Sequence, residues 1–336
     1  RAQTITTLKW MHCLGVNDVV ITTESTLSAD GLHFSNTTEL LYPEETLGYV
    51  IAEARKLGLS VTLSPQLRLA GRAGTLADHA FTPQNWSKFF QNYAEHMRLF
   101  GEIAEQNGVS RLLIGNRFGG QITGADNRAH WQRLIHKVRG VFSGHLSYTA
   151  NTSTQQPESI TANEAAFVSF WDNLDEVGVA VYPALTRKSS PTLSQLKRAF
   201  YRNDDGNNSV APLRALAKKS GKPVIIFEMG ARSIKGKFWD TLGSALINPE
   251  ISNDDQTTLL QASLYIWLGE MRRSWLDGIV LRDAIAFSRH HGNRRWWDRD
   301  FTVQHKPSAD VVKTFFAKGK EIDHSEPACT AFAVKP

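Results

Sequence analysis

One carboxylate stands at the end of a short apolar run, and it is the residue in this chain best placed to do chemistry. The segment KPVIIFEMG covers residues 222–230, and its four apolar residues between Pro223 and Glu228 are typical of a strand buried on both faces of a parallel sheet. A glutamate at the end of such a strand is poorly placed for core packing. In α/β barrels, catalytic groups lie on that rim. Glu228 is therefore a candidate catalytic residue. The alternative is a glutamate that simply hydrogen-bonds to its surroundings.

Six arginines follow the ends of predicted strands. Arginine is the preferred residue for bidentate binding of carboxylate, sulfate or phosphate. Any one of them could be a solvated or ion-paired residue, but six at equivalent ends with few acidic neighbours indicate an anionic ligand. The set is Arg68, Arg72, Arg117, Arg187, Arg232 and Arg282.

Two neighbouring tryptophans, Trp296 and Trp297, lie in the segment RRWWDRD near the end of the chain. Sugar rings stack on such aromatic faces, so both are candidate substrate-binding residues. The alternative is that they pack the last loop against the core, with the adjacent arginines stacked on them. His290 and His291 in the same region lack a third partner with metal-ligand spacing, so the sequence predicts no metal and no other cofactor.

The composition is that of an ordinary globular protein, with 336 residues, 41% hydrophobic and 21% charged. No apolar run approaches the length of a membrane span. The net charge of +5 favours acidic partners, but no block of like charges points to nucleic acid. The two cysteines, Cys13 and Cys329, form a disulfide if the protein is exported, or are two buried free thiols.

Strand-like and helix-like segments alternate along the whole chain, which predicts a parallel sheet with right-handed crossovers. The seven predicted strands cover residues 18–24, 59–65, 111–115, 145–150, 177–183, 223–228 and 278–281, and the predicted helices cover 4–14, 43–57, 83–107, 127–142, 165–174, 194–201, 210–220, 256–273 and 309–317. Seven strands are one short of a closed (β/α)₈ barrel, the TIM-barrel fold. We expect the first strand to lie upstream of residue 1, or to be supplied by the tail segment Thr330–Val334. The prediction is one barrel domain over residues 1–320 and a tail over 321–336.

An ordered set of segments resembles glycoside hydrolase family 113, a group of retaining, mannanase-related barrels. The matching segments are AEARKLGLSVTLSPQ (52–66), NWSKFFQNYAEHMRLFGEIAEQNGVSRLLIGN (85–116), HLSYTAN (145–151), WDNLDEVGVAVYPAL (171–185), GKPVIIFEMGARS (221–233) and DFTVQHKPSADVVKTFF (300–316). The resemblance implies that Glu228 is the nucleophile after strand seven. It also implies that Asn116 is the residue before the acid/base after strand four, and that Tyr182 is the strand-six tyrosine on the rim. Asn151, at the end of HLSYTAN, joins the candidate substrate-binding residues.

The chain departs from that family where the acid/base glutamate should stand, because it has Arg117 there. A guanidinium cannot protonate a leaving oxygen at neutral pH, and retaining hydrolysis needs two carboxyls about 5–5.5 Å apart. The last strand also differs, since the family usually places an aromatic residue there and this chain reads GIVLRDAIAF. Glu24, after strand two, and Asp283, after strand eight, are possible substitute acids. The alternative for each is a carboxylate paired with a nearby arginine.

Two hypotheses follow. The first is a glycosidase or transglycosylase that acts through Glu228 on an exported and acidic polysaccharide, in a polysaccharide synthesis or degradation pathway. The second is a degenerate glycosidase that binds an anionic glycan without cleaving it. A nucleic-acid-binding protein is disfavoured because the basic residues are predicted on a pocket rim and not along one helix or stripe. We expect an extracellular, periplasmic or cell-envelope location, and the sequence predicts no oligomeric state.

Overall fold

The computed structural model describes residues 2–35, 44–242, 249–284 and 299–317, and these form one curled eight-stranded sheet surrounded by helices. The strand order is β2-β1-β3-β4-β5-β6-β7-β8. All neighbours pair in parallel except β1 and β2, which pair antiparallel. The strands are β1 (Asp18–Leu27), β2 (Phe34–Ser35), β3 (Ser60–Leu69), β4 (Arg111–Asn116), β5 (His145–Asn151), β6 (Val177–Ala180), β7 (Val224–Met229) and β8 (Leu276–Leu281).

The seven predicted strands are confirmed, and they are the seven parallel strands of a (β/α)₈-type barrel sheet. The eighth strand is the two-residue β2 and not the missing parallel strand. Within the described ranges, no ladder joins β8 to β1. The tail segment Thr330–Val334, which we considered for that gap, lies outside the described residues.

Eight of the nine predicted helices are confirmed, and a short helix over residues 120–123 was not predicted. They are α1 (Ala2–Cys13), α2 (Glu44–Lys56), α3 (Trp86–Gln106), α4 (Gly120–Thr123), α5 (Arg128–Arg139), α6 (Leu193–Ala199), α7 (Ala211–Ser220), α8 (Asn253–Met271) and α9 (Ser308–Phe316). The predicted helix over 165–174 is wrong, because only two short 3₁₀ turns occur there, Glu164–Ala166 and Trp171–Asn173. Ser169 explains the break, since its backbone N–H and its hydroxyl both donate to Thr123 O instead of to a preceding helical turn.

Two apolar clusters lie on opposite sides of the strands. The large cluster fills the layer between strands and helices and includes Val224 and Ile226 of β7. The small one joins Leu113 of β4 to Ile225 and Phe227 of β7. Since β4 and β7 are not neighbours in the sheet, their contact crosses the inside of the curl. Odd-numbered residues of β7 therefore face inward up to Phe227, as the period of two along a strand requires.

The described ladders slip by one residue at four places, three of them near the carboxyl ends of strands and one at the amino end of β7. On β4 the step from Leu113 to Asn116 is three residues, while the matching step on β5, from Ser147 to Thr149, is two. On β7, Glu228 pairs with Ala180 although Ile226 pairs with Val179, so one extra residue is inserted relative to β6, and a similar slip occurs against β8. Such bulges re-aim side chains and are frequent next to active sites. The slip in β7 lies directly before Glu228.

A charged network closes the opposite end of the sheet. Glu176, only 2% exposed, accepts two hydrogen bonds from the Arg111 guanidinium, at 2.6 and 2.8 Å, and contacts His145 Nδ1 at 3.0 Å. Arg111 also reaches Asp18 at 3.4 Å. These groups lie at the amino ends of the strands, away from Glu228, so they serve the stability of the barrel. In the described part of the chain, no helix is both long and apolar enough to span a bilayer.

Candidate active site

Glu228 lies at the carboxyl end of β7 and is held through one of its two oxygens. Oε1 accepts a hydrogen bond from the Tyr182 hydroxyl at 2.8 Å and another from Arg282 Nη1 at 2.9 Å. Arg117 Nη1 lies 3.6 Å from the same oxygen. No described residue donates a hydrogen bond to Oε2, and the Glu228 side chain is 12% exposed. The carboxylate is thus oriented by three partners and keeps one oxygen for a ligand.

Arg117 reaches Glu228 from an unusual backbone position. It follows β4 directly and has φ +50°, in the left-handed region that non-glycine residues rarely adopt. Its backbone N–H donates to Thr149 O on β5 at 2.8 Å, and its Nε donates to Asn116 Oδ1 at 3.0 Å. Asn116, itself buried, therefore orients the guanidinium toward Glu228.

A second guanidinium pair flanks the site around one aromatic ring. The guanidinium carbons of Arg232 and Arg282 each lie 4.8 Å from the ring centroid of Phe301. Phe301 also packs against the Tyr182 ring, with centroids 5.7 Å apart. Burial, and then the charge of Arg282, lower the pKa of Arg232. Arg232 Nε donates to the backbone oxygen of Leu242, and none of the carboxylates in the described ranges forms a salt bridge with it. Positive charge thus accumulates at this rim.

Asp283 is the carboxyl nearest in sequence to this cluster, directly after Arg282. Burial raises its pKa, the charges of Asp300 and Glu228 add to that effect, and Arg282 opposes it. Asp283 Oδ1 is buried and has no hydrogen-bond partner among the described residues. Burial also raises the pKa of Asp300, although Lys306 Nζ contacts its Oδ1 at 3.1 Å and opposes that effect. Both carboxyls are therefore shifted toward the protonated form, and Asp283 is the one that directly follows Arg282.

Several predicted site residues lie away from Glu228 or are engaged elsewhere. Glu24 and Arg68 form a salt bridge at 2.5 Å between β1 and β3, both of which extend further than predicted, so the arginine-paired alternative describes Glu24. Arg187 pairs with Asp205 at 2.7 Å and stacks on Trp239, with its guanidinium carbon 3.5 Å from the ring centroid. Arg72 is exposed in a turn. Asn151 donates through Nδ2 to Thr161 O at 3.2 Å. Trp296 and Trp297 lie outside the described residues.

Sequence reasoning missed a buried carboxyl beneath the Arg117 segment. Glu164, fully buried, accepts hydrogen bonds from Tyr148 Oη at 2.6 Å, Gly119 N at 2.9 Å and Asn151 N at 3.2 Å. The same Tyr148 oxygen accepts the N–H of Phe118 at 2.7 Å. Glu164 thereby links Gly119, which lies two residues after Arg117, to Tyr148 and Asn151 of β5. It lies in an irregular connection, where no periodic pattern marks it as buried.

Burial governs the protonation of Glu164 as well. It raises the Glu164 pKa to about 7, against the opposing effect of the Tyr148, Asn151, Gly119 and Thr123 hydrogen bonds. The carboxyl beneath the Arg117 segment therefore changes charge near neutral pH.

Two further predictions concern metal ligands and cysteines. Across the described ranges, no group of three or more His, Cys, Asp or Glu side chains is arranged to hold a metal ion. Cys13 is buried and disulfide-bonded. Cys329 lies outside the described residues.

The chain has clear relatives by sequence family and by fold. The family model described as Glycoside Hydrolase Family 113 matches residues 1–306. No curated protein matches the sequence. Among solved structures, a complex of a family 113 β-1,4-mannanase superposes with a TM-score of 0.73 at 18% identity, covering 94% of this chain and 93% of that one.

Two other structures show the same likeness of fold. The family 113 β-mannanase AaManA from Alicyclobacillus acidocaldarius, solved in complex with ManMIm, gives a TM-score of 0.70 at 18% identity, covering 95% and 92% of the two chains. The endo-β-1,4-mannanase from Thermotoga petrophila gives 0.61 at 12% identity, covering 95% and 74%. At such low identities these matches establish a shared barrel fold.

Proposed function

The chain belongs to glycoside hydrolase family 113, and on that premise we propose that it acts on an acidic polysaccharide, with Glu228 as the nucleophile. The observation that carries this proposal is the asymmetric contact of the Glu228 carboxylate. Oε1 is fixed by Tyr182 and Arg282, while Oε2 has no donor among the described residues. A nucleophile needs one oriented oxygen free to approach the reacting carbon.

The positive charge around the Glu228 carboxylate supports an acidic substrate. Arg117 and Arg282 both contact Glu228, and Arg232 lies on the same aromatic ring as Arg282. Arg117, Arg232, Arg282 and Lys306 carry four positive charges against at most three on Glu228, Asp283 and Asp300, which leaves positive charge for a ligand to neutralise. A neutral mannan gives those guanidiniums no anionic partner, so the proposal departs from the substrates named for the related β-mannanases.

The acid that protonates the leaving oxygen is assigned to Asp283. Burial and nearby carboxylates raise its pKa, which favours the protonated form, and its Oδ1 is unpartnered among the described residues. A general acid works best when its pKa lies near the operating pH. Glu24 is set aside for this role because it is engaged by Arg68.

A second function is favoured by one observation, the salt bridge between Arg117 and Glu228 at 3.6 Å. Arg117 occupies the position where the family places its acid/base glutamate, and a guanidinium cannot supply a proton there. In this alternative the chain is a degenerate glycosidase that binds an anionic glycan without cleaving it.

The protein is proposed to work outside the cytoplasm, at the cell envelope or in an extracellular or periplasmic space. The disulfide at Cys13 supports this location, because structural disulfides persist in oxidising compartments.

The test is a panel of neutral and acidic polysaccharides, assayed for reducing-end release and for binding with the unmodified protein and with Glu228→Gln. We expect hydrolysis of at least one acidic polysaccharide by the unmodified protein, and none by Glu228→Gln, which should still bind it. Binding of an acidic glycan without turnover would favour the alternative function. Preferential binding of neutral mannan would contradict the acidic substrate.

A further inference from the structure

The positions of the two guanidiniums on Glu228 constrain where the substrate carries its negative charge. Arg282 Nη1 and Arg117 Nη1 lie 2.9 and 3.6 Å from Glu228 Oε1. In a nucleophilic attack the other carboxylate oxygen approaches the anomeric carbon to about 3–3.5 Å. The two guanidiniums are therefore neighbours of the anomeric carbon itself and not of the far side of the sugar ring.

Both guanidiniums keep donors for a ligand. A guanidinium has five N–H groups in a planar fork that matches a carboxylate. Of these, Arg117 uses Nε on Asn116 and directs Nη1 to Glu228, and Arg282 uses Nη1 on Glu228 and also hydrogen-bonds to Tyr182. The side chains are 15% and 36% exposed, so the remaining N–H groups are partly shielded from water, where charge-assisted hydrogen bonds are strong.

Known classes of acidic sugar differ in where the acid sits. A uronic acid carries its carboxylate on the ring carbon beyond the ring oxygen, three bonds from the anomeric carbon. A ulosonic acid carries its carboxylate on the anomeric carbon, one bond away. Only the second places the charge beside Glu228 and within the reach of Arg117 and Arg282 while the anomeric carbon faces Oε2.

We propose that Arg117 and Arg282 form a carboxylate-binding subsite for a ulosonic acid glycoside, whose acid group lies on the carbon that Glu228 attacks. This inference rests on the proposed function and names its substrate class. The two guanidiniums also offset the repulsion between the substrate carboxylate and Glu228, which without them would oppose approach. Arg232, stacked on Phe301 beside Arg282, adds positive charge at the same rim.

The experiment measures binding of a small set of methyl glycosides by calorimetry at low salt. The probes are methyl N-acetylneuraminide in both anomeric forms, its methyl ester, and methyl glucuronide. The ester is the matched probe because it has the same sugar without the charge. We expect the acid to bind at least about tenfold more tightly than the ester, which corresponds to about 1.4 kcal/mol, and more tightly than the glucuronide.

Variants test the assignment to these two arginines. Arg117→Gln and Arg282→Gln should each remove most of the preference for the acid over its ester. Arg187→Gln is the matched control, because it deletes a guanidinium that pairs with Asp205 and does not contact Glu228. The control should keep the preference.

Three results would overturn the inference: no detectable binding of the acid at millimolar concentration, equal binding of acid and ester, or a glucuronide that binds more tightly with the same dependence on Arg117 and Arg282. The last result would leave an acidic polysaccharide as the substrate and move only the position of its charge. Hydrolysis or binding of acidic polysaccharides in the separate panel likewise survives failure of the ulosonic acid, so the two proposals fail separately.

Discussion

Replacing Glu164 by glutamine should change how the stability of this protein depends on pH. The carboxyl is fully buried, and its pKa in the folded protein is raised from 4.5 to about 7. The folded protein therefore retains a proton that the unfolded chain has already lost. Its contribution to stability is present below about pH 4.5 and is lost as the pH rises to about 7. At about 1.4 kcal/mol for each pH unit, the full loss is about 3 kcal/mol.

Glutamine stays neutral at every pH, so the Glu164→Gln variant should lack this loss. Relative to the unmodified protein, its free energy of unfolding should rise by about 2–3 kcal/mol between pH 5 and pH 8. Urea unfolding at both pH values measures the change. A constant offset between the two proteins is expected as well, because the glutamine amide cannot accept the hydrogen bond that Asn151 N donates. That offset cancels in the comparison across pH.

Glu158→Gln is the matched control, since it makes the same change at an exposed position of the same connection. The control should follow the unmodified protein at both pH values. If the change in unfolding free energy between pH 5 and pH 8 for Glu164→Gln matches that of the unmodified protein within about 0.5 kcal/mol, burial does not raise the pKa of Glu164 as described, and the reasoning is refuted.

Three other substitutions probe the site and the opposite end of the barrel. Arg117→Glu should abolish turnover of acidic glycosides because it replaces attraction for the substrate by repulsion; weak new activity on a neutral aryl glycoside would instead indicate a restored pair of carboxyls in a degenerate enzyme. Tyr182→Phe removes a hydrogen bond to a charged group and should lower kcat/KM on the best substrate about 10- to 100-fold; an unchanged value would contradict the role of its hydroxyl. Arg111→Met leaves the buried Glu176 without its guanidinium partner and should lower the free energy of unfolding by about 3–5 kcal/mol in urea. The control Lys235→Met, at an exposed pair with Glu250, should cost no more than about 1 kcal/mol, and equal costs would contradict the argument from burial.

The fold could be predicted from sequence because its signal is local. Short apolar runs bounded by turn residues gave all seven parallel strands, and apolar residues at three- and four-residue spacings gave the long helices. The helix prediction over 165–174 failed because Ser169 hydrogen-bonds to Thr123 of α4, which no local pattern reveals. Propensity describes neighbours along the chain, and here a tertiary contact decided the backbone.

The site was predictable in part for the same reason. Strand ends mark the rim, so Glu228, Arg117 and Arg282 could be proposed as neighbours without knowing any distance. Which arginines turn toward the carboxylate was beyond the sequence, since Arg187 is engaged by Asp205 instead. Glu164 was missed because burial of a carboxyl depends on how three separate segments meet.

The extra residue in β7 decides which face of the sheet the Glu228 side chain points to. Ile225 and Phe227 face the inside of the curl, and Ile226 faces the layer beneath the helices. Under strict alternation Glu228 would face the same layer as Ile226. The slip between Ile226 and Glu228 reverses that parity for the last residues of the strand. Phe227 is the inserted residue, because Ile226 and Glu228 pair with the consecutive residues Val179 and Ala180. The insertion therefore lets two successive side chains face the inside of the curl, with Phe227 in the inner apolar cluster and Glu228 toward the ligand. A change that removed Phe227 would restore regular pairing and keep the carboxylate inward, whereas any other single-residue change between Phe227 and the start of the strand would have to be absorbed elsewhere in the ladder.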